Sequence, residues 1–152
     1  MNKESELRTV LLKIDFTSRY RQLCDKYNDF DSRLRGSHKS LYESILEKTG
    51  YKFNYFSKGA FFQITELDQR FEFMLNLVLK DGLVETLLYI KENDTQILPG
   101  GRIDFFPEDV DIPFERKKYN LPIYESERDL ENILTEILSI YEDIKKEVLD
   151  LQ

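Results

Sequence analysis

The side chains best suited to chemistry in this chain are its carboxylates, one cysteine and one histidine. The chain has 29 acidic residues, and Cys24 and His38 are the sole residues of their types. A catalytic thiol needs a neighbouring base, and a zinc site needs several His or Cys ligands. Nothing in the sequence brings the two together. We therefore predict that Cys24 is a small buried side chain and that His38 belongs to a polar loop or a helix start.

Two short motifs have the residue types of ligand sites but not their spacing. Glu108, Asp109 and Asp111 supply oxygens, but the spacing and the glycine of an EF-hand are missing. Gly100-Gly101-Arg102 lacks the spacing of a phosphate-binding loop, and Pro99 before it favours a turn at the entry of a strand. A metal-dependent hydrolase stays open as an alternative function, but no carboxylate pair can be singled out for it. We predict a protein that is not an enzyme, with no catalytic residue, no cofactor and no metal.

The composition limits the classes of partner. The net charge of −7 opposes binding to nucleic acid or to an anionic membrane, and it favours a basic protein partner. No apolar run reaches the roughly 18 residues of a membrane helix, and the N-terminus has no hydrophobic signal core. With a single cysteine, these features predict a cytoplasmic protein. The length of 152 residues predicts one domain spanning residues 1–152.

The clearest structural signal is a β-hairpin around Asp81-Gly82. A two-residue Asp-Gly loop between apolar, β-favouring stretches is a strong hairpin signal. It predicts an apolar face with Leu79 opposite Val84, Leu77 opposite Thr86, Leu75 opposite Leu88, Phe73 opposite Ile90 and Phe71 opposite Glu92. The other face is mixed, with Glu72 opposite Lys91, Met74 opposite Tyr89, Asn76 opposite Leu87 and Val78 opposite Glu85. Side-chain alternation favours this register because it gathers the hydrophobic set on one side.

Helices are predicted before this hairpin. Apolar residues recur at helical spacing from about Glu4 to Phe30, which predicts one long helix. Ser40 and Glu43 have the spacing of a capping box, so a second helix should begin near Ser40. Thr49-Gly50 should end it, since glycine tolerates the left-handed backbone of a helix C-terminus.

The middle of the chain is predicted to be an antiparallel meander of four or five strands. Tyr51, Phe53 and Tyr55 alternate with polar residues, and Phe62 and Ile64 share a face of the next strand. The hairpin follows, and a last strand is expected near residues 102–106. The stretch 107–124 contains three prolines and is predicted to be an irregular surface connection.

A long helix is predicted at the end of the chain. Ser126 is a good N-cap, and Asp129 three residues later completes a capping box. The apolar stripe that follows is wide, which favours packing on a sheet or a neighbouring helix, with dimerisation through this helix as an alternative. Together the elements predict an α+β fold: N-terminal helices, a meander, and a C-terminal helix packed on the sheet. The oligomeric state is predicted to be monomer or homodimer.

A binding surface is the remaining functional possibility. Aromatic side chains anchor protein interfaces, and surrounding charges steer the partner. Two stretches combine these types, the mixed face of the hairpin and the acidic connection that follows the sheet. The predicted partner-binding residues are Asp104, Phe106, Glu108, Asp109, Asp111, Met74 and Tyr89.

The whole chain resembles the small acidic immunity proteins encoded beside bacterial polymorphic or contact-dependent toxins. The resemblance rests on length, acidity, the hairpin of residues 79–85, the Pro-Gly-Gly turn and the stretch of residues 124–146. It implies a non-enzymatic binder that neutralises a basic toxin domain by covering its active site or another essential surface. It carries over no functional residue. A small-ligand-binding or scaffold protein is the other alternative.

Overall fold

Five antiparallel strands that pair in chain order form the centre of the fold. The structure is a computed structural model that describes residues 3–110 and 115–151. Within these residues, the helices are α1 (Lys3–Lys13), α2 (Phe16–Lys26), α3 (Lys39–Lys48), α4 (Phe106–Val110) and α5 (Glu127–Leu149). The strands are β1 (Asn54–Phe56), β2 (Phe61–Asp68), β3 (Phe71–Lys80), β4 (Leu83–Glu92) and β5 (Thr95–Arg102), in the sheet order β1-β2-β3-β4-β5. The predicted α+β class and its order of elements are confirmed.

The hairpin has the predicted register. Leu79 pairs with Val84 and Phe73 with Ile90, while Met74 pairs with Tyr89 on the opposite face. Burial alternates along β3 as the side chains alternate. The register follows from the Asp-Gly turn and the one-sided hydrophobic pattern, because a slip by one residue would move the apolar set away from the core.

The core lies on one side of the sheet. Every second residue of β2–β5 points to the same side of the sheet, and most of these residues are buried against helices α1, α2, α3 and α5. The apolar members of the buried set are Phe62, Ile64, Phe71, Phe73, Leu75, Leu77, Leu79, Val84, Leu88, Ile90 and Ile97, and Thr86 is a buried polar member. None of the helices among the described residues is long and apolar enough to cross a membrane.

Helix α5 buries the wide apolar stripe predicted for it. Leu130, Ile137 and Val148 are among the nine side chains of α5 that are buried. They belong to the same apolar groups as the inward sheet residues, so the helix packs on the sheet. Because the stripe is used inside the chain, it does not offer the seam that dimerisation through this helix would need.

The N-terminal segment is two helices, so the prediction of one helix is wrong. The helix breaks at Asp15, which has a left-handed backbone with φ of 58°. The break reorients the residues on either side: Phe16 is fully buried and stacks with Tyr20 at 5.9 Å, while Leu12 is exposed. Burial of the Phe16 ring offsets the strain of Asp15, since a non-glycine left-handed residue costs about 1–2 kcal/mol.

The capping box predicted at Ser40 is also wrong, while the end of that helix is confirmed. Helix α3 begins at Lys39, and His38 stands at the N-cap without a side-chain capping bond. Glu43 lies beside Lys39 as an exposed ion pair. Gly50 follows the helix with φ of 84°, as expected of a helix C-terminus.

The cap of α5 is confirmed. The Ser126 hydroxyl accepts the Asp129 N–H at 3.2 Å, and the Asp129 carboxylate accepts the Glu125 N–H at 3.1 Å. The first bond satisfies an amide of the first turn that has no partner in the helix, and the second comes from the residue before the N-cap, one residue earlier than in the usual capping box.

The last strand lies earlier in the chain than predicted. Strand β5 contains the Pro99-Gly100-Gly101 stretch instead of following it, and residues 103–105 form a 3-10 turn that continues into α4. Proline is compatible with an edge strand because its missing N–H is not needed on the outer side. The strand predicted at residues 102–106 and the wholly irregular connection after it are therefore corrected.

The tip of the hairpin is held by two distant parts of the chain. The Gly36 N–H donates to the Asp81 carboxylate at 2.9 Å, and the Asp81 N–H donates to the Gly36 carbonyl at 2.8 Å. The Tyr124 N–H donates to the Gly82 carbonyl, and the Leu34 N–H donates to the Tyr124 carbonyl. The turn is thus packed against the loop before α3 and the segment before α5.

Replacing Gly82 by alanine should therefore cost more than the backbone strain alone. Gly82 has φ of 77°, and a Cβ there would lie 2.4 Å from the Arg33 Cβ and 3.0 Å from the Leu34 nitrogen. We expect Gly82→Ala to lower the free energy of unfolding by about 2–3 kcal/mol, from strain plus the clash. Gly50→Ala is the matched control, since Gly50 has a similar φ of 84° and nothing within 4 Å, so it should lose about 1 kcal/mol. Urea denaturation measures both, and equal losses would contradict the packing argument.

Candidate functional site

The side of the sheet that faces away from the helices is the main candidate surface. We call it the outer face and define it by the alternate residues of β2–β4: Phe61, Gln63, Glu72, Met74, Asn76, Val78, Glu85, Leu87, Tyr89 and Lys91. No helix of the described residues packs against it, and its central side chains are only half-buried. Gln63 donates to the Asn76 side chain at 3.0 Å, which places both on this face. The outer face is therefore a polar and apolar surface that the described part of the chain leaves open.

Met74 and Tyr89 lie at the centre of the outer face. They are a cross-strand pair, as predicted. Tyr89 extends toward β5, where the missing side chain of Gly100 makes room: a Cβ on Gly100 would lie 3.4 Å from the Tyr89 ring and 2.2 Å from the Gln96 amide nitrogen. This role of Gly100 was not predicted, and the Pro-Gly-Gly stretch was its only signal in the sequence.

A shallow cavity lies over this pair. Its volume is about 220 Å³, and its lining residues are Glu72, Met74, Tyr89, Lys91 and Gln96. It has an apolar floor and a polar rim. A rigid ring and a flexible thioether at such a floor are typical of protein-binding surfaces, because they give contact area and adapt to a partner.

The acidic connection is largely neutralised within the chain. The Asp104 carboxylate is fully buried and accepts two bonds from Arg102, at 3.0 and 2.9 Å. Arg116 lies 3.8 Å from the same carboxylate and 3.3 Å from Glu108. The prediction that Asp104 faces a partner is therefore wrong, because its side chain is fully buried and its charge is balanced by two partly exposed arginines.

Phe106 is also buried, so its predicted place on the binding surface is wrong. Its ring lies 6.0 Å from Phe16, within the core between the sheet and the N-terminal helices. The neighbouring Phe105 is the exposed aromatic instead, with Arg102 and Arg116 near its ring at 5.0 and 4.3 Å. The 3-10 turn directs the Phe106 ring into the core and the Phe105 ring toward solvent.

The remaining predicted partner residues fall at the edge of the described chain. Glu108 is exposed and paired with Arg116. The side chain of Asp109 and all of Asp111 lie outside the described residues. For these three, and for Met74 and Tyr89, partner binding stays a prediction.

Arg102 joins the outer face to this connection. It pairs with Leu87 in the β4–β5 register, and it lies 3.3 Å from the Glu85 carboxylate. Its guanidinium is thus shared between Glu85 and Asp104, and the neighbouring carboxylates raise its pKa although burial opposes this. The Arg102 guanidinium is therefore bound by carboxylates of the chain itself, which opposes a role of the Gly100-Gly101-Arg102 motif in binding an anion.

Cys24 has the buried environment predicted for it. It is 4% exposed, and burial raises its pKa to about 12. His38 lies at the start of α3, also as predicted, and its ring nitrogen is 2.8 Å from the Arg35 carbonyl. Among the described residues, no group of three or more His, Cys, Asp or Glu side chains is placed to hold a metal ion.

The negative charge of the chain is concentrated at its end. Residues 125–150 contain nine acidic and three basic residues, so they carry −6 of the net −7. Several of these acids pair with cations of other helices: Glu136 and Asp143 with Arg19, Glu131 with Lys48, and Glu147 with Lys13. Some of the acidic side chains of α5 therefore form ion pairs that link it to α1, α2 and α3. This negative charge lies on the opposite side of the sheet from the outer face.

A second polar group joins α5 to the edge of the sheet. Glu66 of β2 accepts the Tyr141 hydroxyl at 2.7 Å and pairs with Lys145 at 2.6 Å, while Glu142 accepts the Tyr51 hydroxyl. Each charged member has a partner, and the network fixes the helix on the strand. Comparison with protein families, curated proteins and solved structures finds no match to this chain.

Proposed function

We propose that this protein is a binding module that covers a surface of another protein with the outer face of its sheet. The observation that carries the proposal is the position of Met74 and Tyr89, half-buried and central on a sheet face that no described helix covers. Apolar side chains that lie together on an uncovered protein surface are typical of interaction sites. The surrounding polar residues would form the rim of the interface.

We further propose that the partner is basic and that binding neutralises it by occlusion, as in the immunity proteins that the sequence resembles. The net charge of −7 supports this, because an acidic protein attracts a basic partner over distances longer than its contact surface. The charge lies mainly on α5 and its entry, away from the outer face. It would therefore raise the association rate, while the apolar centre would set the lifetime of the complex.

The test uses tagged protein to capture partners from a lysate of the source organism at low and high salt. Met74→Glu places a charge at the centre of the outer face, and Leu12→Glu makes the same change at an exposed leucine of α1. We expect the wild type and Leu12→Glu to retain the same basic protein, less strongly at high salt. Met74→Glu should lose it, since truncating or charging a central anchor costs about 2 kcal/mol or more.

Both variants must first melt like the wild type, which circular dichroism checks. Equal retention of the basic protein by Met74→Glu and the wild type would contradict binding through the outer face. Retention of an acidic protein, or of the same protein at every salt concentration, would contradict the basic partner.

A further inference from the structure

The charges of the outer face are nearly balanced, unlike those of the whole chain. Glu72 and Glu85 lie on the face with Lys91, and Arg102 borders it beside Glu85. Two acids and two bases thus share this surface in a chain of net charge −7. Two copies of an acidic protein repel one another over most of their surfaces. The outer face is where that repulsion is least.

Glu72 and Lys91 are opposite one another in the register without forming an ion pair. Neither has an ion-pair partner within the described residues. Both line the shallow cavity over Met74 and Tyr89. An unpaired acid and an unpaired base beside an apolar pair make a surface that is complementary to itself.

The register shows how a second copy would fit. A two-fold axis laid along the strands, midway between β3 and β4, places each β3 residue over the β4 residue with which it pairs. Glu72 then faces Lys91 of the second copy, and this contact occurs twice by symmetry. Both ion pairs lie at the same level along the strands, and Met74 of each copy meets Tyr89 of the other copy two residues further along. Packed sheets lie about 10 Å apart, a distance that Glu and Lys side chains together can span.

The size of the sheet corresponds to a small interface between two copies. Four strands of eight to ten residues and the three-residue β1, spaced by about 4.8 Å at about 3.3 Å per residue, give a surface of roughly 600 Å². Stable interfaces bury about 800 Å² on each partner. The whole sheet therefore supplies about three quarters of that area.

We propose that two copies of this chain associate face to face through their outer faces, in an isologous dimer with Glu72–Lys91 ion pairs. The inference rests on the proposed function in one respect, since a protein partner would bind the same surface. The dimer would then cover the apolar centre until that partner displaces one copy. Self-association is thus a form of regulation of the proposed site.

Charge reversal with mixing tests the dimer. The mass of the wild-type protein in solution, measured by light scattering over a range of concentrations, should be twice that of one chain. Glu72→Lys alone and Lys91→Glu alone each create two like-charge contacts per dimer, which should weaken association about tenfold or more. An equimolar mixture of these two variants restores both opposite-charge contacts, so the mixture should dimerise although neither variant does.

The mixing experiment distinguishes a contact between two copies from a cross-strand interaction within one copy. Loss of a cross-strand interaction within a monomer would not be rescued by adding the other variant. Monomers at every concentration would overturn the dimer, as would a dimer that both single reversals leave intact. Neither result bears on capture of a basic protein, which Met74→Glu tests by itself. Conversely, a rescued dimer that captures no partner would stand while the proposed function fails.

Discussion

Asp104→Asn is expected to lower the free energy of unfolding by about 3 kcal/mol. The Asp104 carboxylate is fully buried, and it accepts both Arg102 bonds and faces Arg116. Asparagine keeps the shape but removes the charge, so it leaves two guanidinium groups without their central partner. Breaking a buried ion pair by removing one member costs about 3–5 kcal/mol. The lower figure applies because both arginines are about one-third exposed and can be hydrated.

Chemical denaturation monitored by circular dichroism measures this loss. Glu108→Gln is the matched control: it also removes a carboxylate from Arg116, but Glu108 is exposed, so less than about 1 kcal/mol should be lost. A loss below 1 kcal/mol for Asp104→Asn would mean that the arginines find other partners. The interior position of Asp104 would then not stabilise the connection between β5 and α4.

The protein is expected to unfold in alkali, between about pH 10 and pH 12. Burial raises the pKa of Tyr20, Tyr124 and Tyr141 above their usual value, and it raises that of Cys24 to about 12. The three phenol side chains are at most 1% exposed. In the unfolded chain, the thiol ionises near pH 8.5 and the phenols near pH 10. Raised pKa values stabilise the fold below these pH values and destabilise it as the pH rises.

The expected slope is steep. Each proton that the unfolded chain releases and the folded chain retains lowers the free energy of unfolding by about 1.4 kcal/mol per pH unit. Near pH 11, three phenols and one thiol together give about 5 kcal/mol per pH unit. Ordinary domains have only about 5–15 kcal/mol of stability, so a rise of one or two pH units is enough to unfold one.

Two variants assign this slope to particular groups. Cys24→Ala should remove the part of the dependence that lies between about pH 8.5 and pH 10, where only the thiol ionises. Tyr141→Phe should reduce the slope above pH 10 by about 1.4 kcal/mol per pH unit, whatever it does to stability at neutral pH. Denaturation curves over pH 7–11, with refolding checked on return to neutral pH, provide the measurement. An unchanged slope in both variants would contradict the assignment.

The sequence predicts local features of this fold well. The hairpin register follows from Asp81-Gly82 and an apolar alternation of period two, and the start of α5 follows from Ser126 and Asp129. In each case, the residues that determine the structure are neighbours in the chain. The break at Asp15 could not be predicted in this way, because neither glycine nor proline marks it. It depends on burial of Phe16 against a ring about 90 residues away, Phe106.

The candidate site was predicted in part for the same reason. Alternation places Met74 and Tyr89 on the mixed face of the hairpin, but only tertiary structure shows that all the packed helices lie on the other side. The acidic, proline-containing stretch around Asp104 and Phe106 predicts that both residues lie at the surface. Their burial depends on Arg102, Arg116 and Phe16, and the 3-10 turn that directs them inward has no local signal in the sequence.

The hydrogen bonds at the tip of the hairpin, from Asp81 and Gly82 to two distant segments, reduce the conformational entropy of the chain. Asp81 bonds to Gly36, 45 residues earlier, and Gly82 bonds to Tyr124, roughly as far ahead. One turn of two residues therefore closes two loops of about 40 residues, each of which costs chain entropy that grows only slowly with loop length. Once the Asp-Gly turn has formed, one end of each of these two loops is already held in place. The most local element of the sequence is thus the junction between the first and last thirds of the molecule.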